Sequence, residues 1–137
     1  AGASYFGVSD CSALARETHK FESRYLDGLI GPWPQAEAVY HARSPLFHVD
    51  QLQTPVLFLQ GLDDHIVLPN QAEMMIEALK KKGLPVAYVT FAGEGHGFRQ
   101  AEHIKAAQQA EQYFYTQVFH LQPAESLPTI PISNLKH

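Results

Sequence analysis

The chain has 137 residues, 45% hydrophobic and 18% charged, with a formal net charge of -4, which fits one globular domain or part of one. Its mild acidity argues against nucleic acid as a partner, and the single cysteine, Cys11, excludes an internal disulfide and is compatible with the cytoplasm, the compartment expected here. No apolar run reaches membrane-spanning length and no charged-then-apolar leader is present, so no membrane partner is expected.

Ala1 to Gly7 is small, aromatic and short of charge, as in a buried strand. The chain therefore opens as if in mid-strand and without methionine, which predicts a fragment boundary. Ser9 or Asp10 can cap a helix over Cys11 to His19. Lys20 to Tyr40 is expected to be irregular, broken by Gly28, Gly31, Pro32 and Pro34. A short helix over Ala36 to Ala42 ends at Ser44-Pro45, because the residue before proline is pushed out of the α region.

Pro55 to Gln60 is a continuous apolar run of strand length, as for a parallel strand covered on both faces. Pro69 to Lys82 predicts a helix: Pro69 suits its first turn, Ala72, Met75, Ile76 and Leu79 share a face, and Lys80, Lys81 and Lys82 suit its negative end before Gly83. Pro85 to Phe91 is the next strand. Ala101 to Phe119 is a last helix, with Ile104, Ala107, Ala110, Tyr113, Phe114 and Val118 as its buried stripe. From Gln122, Pro123, Pro128 and Pro131 mark an extended or disordered tail.

Strands alternating with helices predict an α/β fold with parallel strands joined by right-handed crossover helices. Ligands in such sheets sit beyond the carboxyl ends of the strands. Asp64, after the strand and the Gly61 turn, and His96, between Gly95 and Gly97 after the next strand, both fall there. A Ser-His-Asp triad needs an acid that orients an imidazole and an imidazole that moves the proton. Asp64 and His96 stand in the chain order that α/β-hydrolases use, nucleophile first, then acid, then histidine. No Gly-x-Ser-x-Gly nucleophile turn precedes them. The nearest imitation, Gly2-Ala3-Ser4-Tyr5-Phe6-Gly7, has one residue too many and falls in a strand.

Four stretches together resemble the prolyl oligopeptidase family of serine peptidases, particularly its acylaminoacyl-peptidase and dipeptidyl-peptidase-like members. They are Ala1 to Asp10, Ala42-Arg43-Ser44-Pro45, Gly61-Leu62-Asp63-Asp64-His65-Ile66-Val67 and Gly93-Glu94-Gly95-His96-Gly97-Phe98. The resemblance implies the carboxyl-terminal part of an α/β-hydrolase fold over residues 1–121, with 122–137 as a tail. It selects Asp64 over Asp63 as the acid and His96 as the base, and it implies Val8 and Val67 as substrate-pocket residues. The family usually opens the acid motif with His-Gly, where this chain has Gln60-Gly61. The nucleophile, the oxyanion hole and the family's β-propeller are expected outside these residues.

The resulting expectation is a segment of a serine peptidase acting on short peptides or acyl-peptides, inactive alone, with no cofactor and no metal. Self-association is expected through an open edge strand or uncovered helix faces. Two other readings stand beside it: another α/β-hydrolase, such as an esterase or dienelactone-hydrolase-like enzyme, or a non-catalytic self-associating module. Asp64 alone also fits a turn-forming carboxylate. A metal site from Asp63, Asp64, His65 and His96 lacks the spacing of known metal motifs. His19, His41, His48, His103, His120 and His137 are expected at the surface, and Cys11 as a small, half-buried residue rather than a nucleophile.

Overall fold

The computed structural model describes residues 1–17 and 24–136. A sheet in the order β1-β2-β3-β4 forms its centre. Strands β1 (Gly2–Tyr5), β2 (Val56–Gly61) and β3 (Val86–Phe91) are parallel. The tail from Gln122 returns to the sheet, where β4 (Ile132–Ser133) pairs antiparallel with β3. Ile130 and Ile132 pack on the core, so this part of the tail belongs to the packed body.

Five helices accompany the strands among the described residues: α1 (Cys11–Glu17), α2 (Tyr25–Leu29), α3 (Glu37–Arg43), α4 (Asn70–Lys82) and α5 (Ala101–Phe119). The short α2 lies in the stretch expected to be irregular. The first helix is described as far as Glu17, and the expected continuation to His19 lies outside the described residues.

The alternation of side chains along β2 makes a three-layer arrangement. Leu57 and Leu59 pack with Ala107, Ala110 and Phe114 of α5 on one face. Phe58 packs with Met75, Ile76 and Leu79 of α4 on the other. A strand buried on both sides has to be apolar throughout, hence the unbroken run from Val56 to Leu59. Gly83, at φ 79°, ends α4 in the left-handed conformation that glycine adopts without penalty.

Several side chains depart from the sequence expectation. Ile104 is exposed, so the buried stripe of α5 starts at Ala107. Lys82 does more than suit the negative end of α4: its ammonium donates to the carbonyls of Val49, Asp50 and Leu52, capping the 3₁₀ segment Pro45–Gln51. Buried polar residues join distant elements. Gln71 of α4 accepts from the amides of Ser9 and Asp10, at 2.9 Å each, and donates to the Asp10 carbonyl. The Asp10 carboxylate in turn caps α1 through the amides of Ser12 and Ala13. Ser44, fully buried, donates to the Tyr40 carbonyl and accepts from the Cys11 amide, which ties the end of α3 to the start of α1. Among the described residues no helix is long and apolar enough to cross a membrane.

Candidate active site

The site lies beyond the carboxyl ends of β2 and β3, where two turns pack on each other. In the first, Gly61 leads out of β2 into Leu62-Asp63-Asp64. Asp64 is 1% exposed, and a carboxylate this deep has to be fully hydrogen-bonded. Its Oδ1 accepts from the amides of Ile66 and Val67, both at 2.9 Å. Its Oδ2 lies 2.9 Å from His96 Nδ1. The turn-forming and the histidine-facing readings of Asp64 are thus both realised, one on each oxygen. Asp63 is exposed, and its amide donates to the Glu94 carbonyl.

His96 sits on the second turn. Gly93 (φ 77°) and Gly97 (φ 98°) hold left-handed conformations that let this loop fold tightly. The imidazole keeps about a third of its surface exposed (34%) beside a fully buried acid. Its ring centroid is 5.0 Å from that of Phe6, and Phe6 meets Phe98 edge-on at 5.4 Å. Phe6 follows β1 at φ 44°, a conformation uncommon for a bulky residue, so strand β1 delivers an aromatic wall against the histidine at a local backbone cost.

Glu94, inside the same loop, is 2% exposed. Its carboxylate accepts from the amides of Arg99 and Gln100 and lies 2.9 Å from His103 Nδ1. Burial opposes its ionisation, but those two amides and His103 outweigh burial and hold the carboxyl below the usual glutamate range. His103, expected at the surface, is therefore a part-buried partner of Glu94. His65 is exposed. Asp63 and His65 do not join Asp64 and His96 as a ligand cluster: no group of three or more His, Cys, Asp or Glu side chains is placed to hold a metal among the described residues. His19 and His137 lie outside them.

Val8, Leu14, Tyr25, Leu26, Ile66 and Val67 line a cavity of about 320 Å³ that also touches His96. Val8 and Val67, 59 positions apart in sequence, thus line the same cavity as the imidazole. A larger cavity, about 410 Å³, lies around Trp33 and Tyr40 and includes none of Asp64, His96, Val8 or Val67.

The sequence model of the prolyl oligopeptidase family matches residues 1–122. The chain belongs to this family. Among solved structures of similar fold is a puromycin-hydrolyzing peptidase from Mycobacterium tuberculosis: 47% identity, TM-score 0.89, covering 96% of this chain and 20% of that one. Dipeptidyl aminopeptidase BIII of Pseudoxanthomonas mexicana is 39% identical over 75 residues, 55% of this chain and 11% of that enzyme. The acylamino-acid-releasing enzyme of Arabidopsis thaliana is 31% identical over 97 residues, 69% of this chain and 12% of that enzyme. The chain thus spans between a tenth and a fifth of the length of these relatives. The sheet, parallel through β1 to β3 with helices on both faces, is part of the family's α/β-hydrolase fold.

The resemblance pointed to Val8 and Val67, which line the cavity beside His96, while sequence patterning alone does not reach Gln60, Glu94 or Phe6. The only available signals are a glutamine ending an apolar strand and a glutamate between two glycines.

Proposed function

We propose that this segment supplies the acid and the base of a serine peptidase whose nucleophile lies outside these 137 residues. A serine hydroxyl attacks a peptide carbonyl, and His96 takes the hydroxyl proton on Nε2 and returns it to the leaving amine. Asp64, bonded to Nδ1, fixes the imidazole tautomer and stabilises the imidazolium. The observation that carries this reading is the 2.9 Å contact between the buried Asp64 carboxylate and the partly exposed His96.

The substrates proposed are short peptides or acyl-peptides, as the names of the relatives indicate. The cavity beside His96 supports an apolar or aromatic side chain next to the scissile bond, held by Val8 and Val67 among others. Puromycin belongs in the assay because one relative is described as hydrolysing it. The cytoplasm remains the proposed compartment.

The test compares the isolated segment with the full-length protein. The segment is expected to turn over no peptide, ester or puromycin above background and to take no fluorophosphonate label. The full-length protein is expected to be labelled on one serine and to lose turnover in His96→Ala. Stoichiometric labelling of a serine within the isolated segment, abolished by His96→Ala, would overturn the placement of the nucleophile.

A further inference from the structure

Gln60 is out of pattern. It ends the apolar run of β2, is 0% exposed, and stands beside the acid rather than in either hydrophobic core. Its Nε2 faces three acceptors that share its two N–H groups, Asp64 Oδ2 at 3.3 Å, the Gly61 carbonyl at 3.3 Å and the Val67 carbonyl at 3.1 Å. All three partners are acceptors, so only the donor end of the amide fits. The flipped amide would set its oxygen against a carboxylate and two carbonyls. Gln60 Oε1 has no hydrogen-bond partner among the described residues. Burying an unpaired acceptor is unfavourable, and an apolar side chain of the same length would avoid it. The amide nitrogen supplies the compensating interaction.

The division of labour on Asp64 makes that interaction specific. The Ile66 and Val67 amides hold Oδ1, which leaves Oδ2 to be shared between His96 Nδ1 and Gln60 Nε2. We propose that Gln60 is a positioning residue for the Asp64–His96 pair, holding Oδ2 where it meets the imidazole and tying the acid turn to the Val67 wall of the cavity. This rests on the triad reading above. Gln60 acts through Asp64, and the residues lining the cavity beside His96 do not include it.

The experiment measures kcat and KM for full-length Gln60→Met, Gln60→His and Asp64→Asn, with thermal melts. Gln60→Met matches the length without a donor. It is expected to lower kcat about tenfold, the value of one hydrogen bond to a charged group, with KM nearly unchanged. Gln60→His, whose imidazole N–H can donate from the same place, is expected to restore kcat. If Gln60→Met does not fold, Gln60→Asn, which falls one methylene short of Oδ2, is expected to show the same loss. Wild-type kcat in Gln60→Met and Gln60→Asn, with Asp64→Asn inactive, would overturn the role of Gln60 alone. Equal losses of kcat in the Met and His variants would reduce Gln60 to packing and overturn it too. Full turnover in Asp64→Asn would instead overturn the triad reading, and this inference with it.

Discussion

Gly61 and Gly95 pack backbone to backbone: a Cβ built on Gly61 would stand 2.5 Å from the Gly95 carbonyl oxygen and collide with the Glu94 carbonyl as well. The acid turn and the histidine loop can approach closely enough for the Asp64–His96 contact only with glycine at position 61. Gly61→Ala is therefore expected to separate them. A displacement of about 1 Å between catalytic groups costs on the order of 100-fold in rate, and overpacking of this kind costs about 1–3 kcal/mol in stability. Turnover of the full-length variant and its denaturant midpoint measure the two effects. Unchanged turnover counts against the packing of the two loops as the device that sets the geometry.

Asp64 performs two tasks that substitution can separate. Asp64→Asn keeps an acceptor for the Ile66 and Val67 amides. It is expected to fold with a melting temperature near wild type while kcat falls about 10⁴-fold, the scale of losing the triad acid with geometry retained. Asp64→Ala is expected to lose the turn as well, at about 1–3 kcal/mol for buried amides left unpaired. Kinetics and thermal melts on both variants decide the matter; equal stability of the two would mean that the turn does not depend on the carboxylate.

Glu94 should make stability depend on pH. Its carboxyl is held below the ordinary glutamate value of 4.5 by the Arg99 and Gln100 amides and His103. Between the depressed folded value and the unfolded one, the unfolded chain binds more protons, so stability rises with pH there. The contribution is complete above the unfolded value and is lost as pH falls through 4.5 and then through the lower folded value. Urea midpoints of wild type and Glu94→Gln, compared from about pH 6 down to about pH 3, are expected to differ most at the upper end and converge at the lower. A gap that stays constant with pH would contradict the assignment.

Strand β1 pairs with β2 on one side and with no other strand among the described residues. An edge of unpaired backbone groups is a template for pairing with another chain. The isolated segment is therefore expected to sediment above its monomer mass of 15.3 kDa at micromolar concentration, associating through this edge or through helix faces left uncovered. A monodisperse monomer with a cooperative melt and no binding of a hydrophobic dye would rule this out.

What the sequence by itself determined is the set of elements whose signals are local. The apolar run of β2, the strand β3, the proline-to-glycine frame of α4 and the span of α5 are each legible to within a residue, because burial on a sheet or a helix face imposes a period on nearby positions. Asp64 and His96 stand out for a related reason: each follows a strand in a glycine-bearing turn. Their 2.9 Å contact, by contrast, exists only because parallel strands β2 and β3 end side by side. The tertiary structure alone decided the hydrogen bonds of Gln60, Gln71, Ser44 and Glu94. A buried polar residue looks like a surface one in sequence, since its hydrogen-bond partners are chosen by the fold: Gln71 bonds residues 61 and 62 positions away. The return of the tail as β4 was hidden likewise. Two residues carry too little pattern to mark a strand, and β4 exists only because β3 offers a free edge to pair with.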